Sequence, residues 1–265
     1  MRILKIGGEL LEEPADLAVI VRHVQRAVSD AELPLVIVHG GGRELSAELS
    51  RRGAAPRMVD GIRITDDAAL QAAVSVLRGT INTRLVAALI AQGVRAVGLS
   101  GVDGAVLRAR RAPRVRSRAG KTVDLGHVGL PLPSADVALL RLLCNEGWVP
   151  VVASLGVGLD GALLNVNADV AAAHLAVALR ASSLLVLGGT EGVFGADGRT
   201  LETLTIEVAE ALIASGAARD GMAAKLEACT RASASGVADV RILNGRAPQL
   251  GGGTRVTAGG IARAS

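Results

Sequence analysis

Aromatic side chains are almost missing from this chain. It has no tyrosine, one phenylalanine (Phe194) and one tryptophan (Trp148). The interior must then be built from Ala, Val, Leu and Ile, and the stacking platforms that hold single-stranded nucleic acid are lacking. Cysteine is nearly as scarce. Cys144 and Cys229 stand far apart with no metal-ligand spacing, which argues against a disulfide framework or a zinc site and leaves two buried thiols. Uninterrupted apolar runs such as 85–91 are too short to cross a bilayer. Met1 leads straight into a strand pattern rather than a signal peptide. The expectation is a cytoplasmic protein with no nucleic-acid or membrane partner. Two phosphate-binding signatures are also missing, the GxxxxGK(S/T) loop and the GxGxxG turn, so neither a P-loop nor a dinucleotide fold is expected.

What remains is 265 residues, half of them hydrophobic, with a net charge of +4. That length suits one large α/β domain or two lobes with a sizeable core, and the mild positive charge fits small anionic substrates. Buried-strand patterns at 1–8, 33–38, 94–99, 149–153, 184–187 and 240–243 alternate with helical spacing at 16–29, 43–52, 66–92, 134–146, 168–180, 205–214 and 222–235. Strands alternating with helices predict βαβ units and a mainly parallel sheet, with ligands at the carboxyl ends of the strands. Asp66 and Ser134 are the expected caps of two of these helices, and Gly79 suggests a break in the longest. Residues 162–165 read as a short edge segment and 253–257 as a last strand. The tail after Gly259 reads as frayed.

Two strands end in glycine turns, Lys5-Ile-Gly-Gly8 and Val38-His-Gly-Gly-Gly42. The second opens a helix, whose free N–H groups and dipole make an anion site. Lys5 is costly to bury unpaired; beside a glycine turn its cation suits phosphoryl transfer, where positioning and charge neutralisation do most of the work. His39 reads as a structural hydrogen bonder. Arg63, in Gly61-Ile-Arg-Ile-Thr65, has the fork that grips a carboxylate. Asn165-Val-Asn-Ala-Asp169 places three polar groups at alternate positions where a helix cap needs one. Lys225 sits in the first turn of a helix, where the dipole disfavours a cation unless an anion intervenes. Arg108, Arg110, Arg111, Arg114, Arg116, Arg118 and Lys121 cluster with no acid before Asp124 and read as a solvated hairpin.

Taken in order, these motifs resemble the amino-acid kinase family, and within it the acetylglutamate branch. The set is Lys5–Gly8, Val38–Gly42, Gly61–Thr65, Gly98–Gly104, Leu125–Gly129, Asn165–Asp169, Asp220–Lys225 and Gly253–Thr254. The resemblance implies a three-layer αβα sandwich with a mainly parallel central sheet. It implies an acceptor-binding and dimer lobe over about residues 1–175 and a nucleotide-binding lobe over about 176–265. The implied reaction is phosphorylation of the side-chain carboxylate of N-acetyl-L-glutamate by ATP with Mg²⁺, in arginine biosynthesis. Lys5 and Lys225 would neutralise the transferring group, with Asp169 orienting both. Gly41, Gly42, Arg63 and Asn165 would hold the acceptor. Gly7, Gly8, Gly189, Glu191 and Lys225 would serve the nucleotide, with no dedicated metal ligands. A homodimer is expected, and, since Lys5 stands so near the start, one insensitive to arginine. Gly188-Gly189-Thr190 departs from the Thr/Ser-Asp-Val stretch usual in the family after that strand, Val102 from a frequent lysine, and the arginine-rich hairpin is unusual. These departures leave open a sibling kinase for an N-succinyl or carrier-linked acceptor, or a non-catalytic ligand-binding protein.

Overall fold

The computed structural model describes residues 1–30, 34–117 and 119–259. In chain order its strands are β1 (Arg2–Ile6), β2 (Leu35–His39), β3 (Met58–Val59), β4 (Ile62–Arg63), β5 (Ala96–Ser100), β6 (Ala109–Arg111), β7 (Val115–Arg116), β8 (Thr122–Val123), β9 (Val128–Pro131), β10 (Val149–Ala153), β11 (Leu155–Val157), β12 (Leu163–Val166), β13 (Ser183–Gly188), β14 (Thr203–Thr205), β15 (Asp239–Asn244) and β16 (Thr254–Thr257). The helices are α1 (Pro14–Ser29), α2 (Gly42–Arg51), α3 (Asp67–Ala73), α4 (Asn82–Ala91), α5 (Ala138–Asn145), α6 (Ala168–Ala178), α7 (Ile206–Ala214) and α8 (Asp220–Ala234).

Eight strands form one sheet in the order β14-β16-β15-β13-β1-β2-β10-β5. Every pairing in it is parallel except β15 with β16. The central strands β2 and β10 are buried at every residue, as expected of strands covered on both faces. One face packs under α1, α2 and the 67–91 helix, the other under α5, α6, α7 and α8. On β1, Ile3 enters one core and Leu4 and Ile6 the other, the alternation a pleated strand requires. This is the αβα sandwich with its mainly parallel sheet. A second sheet, β11-β12-β9-β6, sits beyond the carboxyl ends of β5 and β10.

Several local expectations change. Asp66 caps its helix, accepting from the Ala69 N–H at 3.0 Å, but Gly79 does not break it. The helix runs from Asp67 to Ala91, with Val74–Ile81 widened into a π-helix. At 25 residues it is long and apolar enough by composition to cross a membrane; here Ala69, Ala72, Leu77, Ile81, Leu85 and Leu89 are buried in the core. The helix expected from Ser134 begins at Ala138, where the Asp136 carboxylate accepts from the Ala138 N–H at 3.1 Å. The 162–165 segment is no edge, because β12 pairs with β11 on one side and β9 on the other. The start of the second strand at Leu33, the tail beyond Gly259 and Arg118 lie outside the described residues.

Candidate active site

The two glycine turns leave adjacent parallel strands, β1 and β2, at their carboxyl ends. They meet: a Cβ on Gly8 would lie 2.7 Å from Cα of Gly41. On its other side Gly41 presses on Leu77 and Ile81 of the π-helical segment. A side chain at Gly8 would strike the Gly41 backbone, whereas one at Gly41 would strike the side chains of Ile81 and Leu77. Gly42 is the first residue of α2, and a side chain there would meet nothing within 4 Å. The first N–H groups of α2 have no partner within the helix and no side-chain cap.

Beneath the turns, His39 is fully buried. Its Nδ1 lies 3.1 Å from the Gly40 carbonyl and its Nε2 lies 3.0 Å from Asn82 Nδ2. The amide nitrogen of Asn82 can only donate, so Nε2 accepts and the proton sits on Nδ1. Burial holds the His39 pKa down to about 4. This imidazole is a neutral brace for the second turn, the structural role its position suggests.

Lys5 lies on β1 with 4 % of its surface exposed, and its Nζ is 2.8 Å from Asp169 Oδ1. Apart from that ion pair, Oδ1 has no hydrogen-bond partner. Asp169 is the second residue of α6, capped by Asn167, whose Oδ1 accepts from the N–H groups of Asp169 and Val170 at 2.8 and 3.1 Å. The Asn-Val-Asn-Ala-Asp cluster thus divides its work: Asn167 caps and Asp169 pairs. Asn165, on β12, donates from Nδ2 to Thr65 Oγ1 at 3.1 Å. Ala171, Ala172, Ala173 and Ala176 are completely buried, and their small side chains let α6 lie close against β1.

Arg63 approaches from hairpin β3–β4. Its Nη2 donates to the Gly42 carbonyl at 2.9 Å and to Ser46 Oγ at 2.7 Å. Its Nη1 is buried without a partner, and desolvation lowers the pKa of the guanidinium, which nevertheless remains charged. Lys5, Gly8, Gly41, Gly42, Arg63, Asn165 and Asp169 line one cleft of about 240 Å³. Glu9, Ser154, Met58 and Ile62 also line it. Sequence reasoning passed over these four and Ser46. Glu9 follows a glycine pair directly, and Ser46 is one turn along α2 from Gly42, so both carried a positional signal.

Lys225 lies across the end of β13. A Cβ on Gly188 would be 3.5 Å from Lys225 Cε and 3.6 Å from Glu9 Oε1. Asp169 pairs with Lys5 but makes no ion pair with Lys225 among the described residues; Lys225 Nζ instead lies 3.5 Å from the Gly221 carbonyl. The two lysines arrive from different elements, a strand and the second turn of α8 rather than the first turn expected, and one carboxylate on α6 reaches only the nearer. Both lysines still act electrostatically on Cys229, whose thiol burial pushes far above its usual range, with Asp169 adding to the rise. Gly189 faces the Arg246 guanidinium, with Nη1 2.5 Å from where a Cβ would be. Glu191 accepts from Asn244 Nδ2 at 2.6 Å. Gly7 is buried at the end of β1 with the Glu9 carboxylate folded over it. Gly7, Gly189 and Glu191 lie outside the lining of the cleft that holds Arg63. Among the described residues no group of three His, Cys, Asp or Glu side chains is placed to hold a metal ion. The basic stretch is solvated but is not one hairpin: Arg110 and Arg111 lie on β6, paired with β9, and Arg116 on β7, paired with β8; Arg110, Arg111, Arg114 and Arg116 are exposed, and Arg111 donates to His127 Nδ1 at 3.0 Å.

Comparison with known proteins agrees with this geometry. The profile described as the amino acid kinase family matches residues 1–244. An acetylglutamate kinase of Methanopyrus kandleri is 42% identical over 247 residues, 92% of this chain and 95% of that protein. The structure of an N-acetylglutamate synthase from Neisseria gonorrhoeae, complexed with coenzyme A and N-acetyl-glutamate, superposes with a TM-score of 0.82 at 27% identity, over 98% of this chain and 59% of the synthase. Giardia carbamate kinase, at 15% identity and a TM-score of 0.69 over 97% of this chain and 98% of that one, shares the fold.

Proposed function

This chain belongs to the amino acid kinase family, and from that membership we propose that it transfers the γ-phosphoryl group of ATP to the side-chain carboxylate of N-acetyl-L-glutamate, in arginine biosynthesis. The observation that carries the acceptor is Arg63. Its Nη1 is buried and unpartnered, and the residue lines the cleft that Lys5 lines. A buried charged donor left unmade is costly, and an α-carboxylate is the group its fork fits.

In this reading an oxygen of the acceptor's side-chain carboxylate attacks the γ-phosphorus. The bond from that phosphorus to the bridging β–γ oxygen breaks, and ADP leaves with the electron pair. The attacking oxygen is already ionised, so no general base is needed, and the neutral buried His39 fits that. Lys5 neutralises charge on the equatorial oxygens, held in place by Asp169, and Lys225 approaches from the nucleotide side. The N–H groups of Gly8, Gly41 and Gly42 supply fixed donors, and Asn165 helps Arg63 orient the acceptor. Gly7, Gly189 and Glu191 serve the nucleotide, in a lobe over about residues 176–265 that faces an acceptor lobe over about 1–175. Mg²⁺ arrives on the phosphates of ATP as part of the substrate, which suits a cleft whose Asp169 carboxylate is committed to Lys5. We place the enzyme in the cytoplasm as a homodimer joined through the 67–91 helix.

The test is an acceptor screen with MgATP, trapping acyl phosphate with hydroxylamine. Hydroxamate with N-acetyl-L-glutamate, well above that with N-succinyl-L-glutamate or free glutamate, is expected. Turnover of another acylated acid in its place would move the protein to a sibling activity, and nucleotide binding with no turnover of any acceptor would make it a binding protein.

A further inference from the structure

Hairpin β3–β4 reaches from the acceptor cleft to the helix that carries Lys225. Its two turn residues, Asp60 and Gly61, have φ of 48° and 80°. Positive φ at both central positions is the type I′ geometry that matches strand twist in a two-residue hairpin, and the pairs Met58 with Arg63 and Val59 with Ile62 close directly on that turn. The tip rests on a neighbour. A Cβ on Gly61 would lie 3.0 Å from Cα of Asp220 and 3.3 Å from its carbonyl carbon, so Gly61 abuts the backbone of the first residue of α8.

Asp220 is itself unusual, with φ of 46°. Left-handed residues other than glycine are uncommon, and they persist where the surroundings hold them. Arg63 lies two residues beyond Gly61 on the hairpin. Lys225 lies five residues beyond Asp220, less than a turn and a half along α8. The guanidinium with its unpartnered Nη1 and the second cation of the site are therefore joined through one backbone contact.

We infer that the contact between Gly61 and Asp220 is the link by which acceptor binding sets the start of α8 and, through it, the position of Lys225. The inference rests on the acceptor reading given above. Gly61, whose backbone lines the acceptor cleft, and Asp220, which lies outside its lining, act as positioning residues. An acceptor carboxylate on Arg63 Nη1 holds the hairpin down over the cleft. The rigid I′ turn passes that constraint to Asp220, so that Lys225 is fixed in place when an acceptor is present to receive the phosphoryl group. A side chain at the tip would crowd the Asp220 backbone, with its Cβ 3.0 Å from the Asp220 Cα, and the positive φ favours glycine as well.

Hydrogen–deuterium exchange of the full chain, with N-acetyl-L-glutamate added and no nucleotide, tests the link. Amides of 58–63 and of 219–226 should both slow, each by about fivefold or more. Gly61→Asn keeps the turn, since asparagine tolerates positive φ, but drives a side chain into Asp220. In that variant the acceptor should still slow 58–63 and no longer slow 219–226. Its acceptor KM should stay within about threefold of the parent while kcat falls at least about tenfold. Slowing confined to 58–63 in the parent chain overturns the link and leaves the acceptor reading intact, as does a Gly61→Asn variant that keeps both the coupling and kcat. Exchange unchanged everywhere overturns the acceptor reading, and the link with it.

Discussion

Replacing Asp169 by asparagine removes the carboxylate that Lys5 pairs with and leaves almost everything else in place. The two side chains are nearly isosteric, Asn167 still caps α6, and the Lys5 ammonium stays 2.8 Å from a polar atom. What changes is charge. The side chains of Lys5 and Asp169 are 5% and 8% exposed, so water screens the pair little. Breaking a buried pair by removing one partner typically costs about 3–5 kcal/mol, because an uncompensated charge is left behind. Against a usual total of about 5–15 kcal/mol, that is a large fraction. At roughly 2–4 °C per kcal/mol for a chain of this size, the melting temperature should fall by about 6–20 °C. Urea unfolding of Asp169→Asn, Lys5→Met and the double variant Lys5→Met/Asp169→Leu measures it. The double variant should recover most of the loss, since replacing a whole buried pair by apolar groups is often neutral. A loss below about 1 kcal/mol for Asp169→Asn would place the pair in the range of exposed ion pairs and refute the reasoning.

Arg63→Ala should raise the acceptor KM by about 10–100-fold, the loss of a charge-assisted hydrogen bond worth about 1.5–3 kcal/mol, with the ATP KM nearly unchanged; steady-state kinetics with each substrate varied will show it. Lys225→Ala should lower kcat by about 10²–10³-fold while leaving acceptor binding within a few-fold, because its charge acts mainly on the transition state; single-turnover quench-flow is the check. His39 is neutral in the folded protein, with a pKa near 4 against 6.5 ordinarily. Its contribution is intact above the unfolded pKa and is lost as pH falls from about 6.5 towards 4, where the unfolded chain takes up the proton first. In urea titrations between those pH values, His39→Gln should flatten the fall in stability by about 1 kcal/mol per pH unit at most; an unchanged slope would place the charge change elsewhere.

Most of the layered fold was legible because its central strands are short, apolar on both faces and separated by helical spacing. β2 and β10 are buried at every position, and such strands show as unbroken runs. The π-helical stretch at Val74–Ile81 was not legible, because Gly79 reads locally as a breaker and the packing of Leu77 and Ile81 beside Gly41 is a long-range contact. The helix expected from Ser134 fails for a similar reason: Ser134 offers cap chemistry, but Asp136 makes the bond. Within the site, the ordered motifs identified Lys5, Gly41, Gly42, Arg63, Asn165 and Asp169, which do converge on one cleft. Spacing along the chain cannot say that Asp169 reaches Lys5 and stops short of Lys225, nor that Gly61 touches Asp220, far along the chain. Those are facts of three-dimensional placement.

Arg63, Lys5 and the glycine turns are proposed to form an acceptor site for an N-acylated glutamate next to a nucleotide. Hydroxamate formation by the purified full chain with MgATP and N-acetyl-L-glutamate tests it most directly. The expected result is trapped acyl phosphate that depends on both substrates and is lost in Lys5→Met. Its absence from protein that is folded and binds ATP would overturn the assignment of the acceptor site.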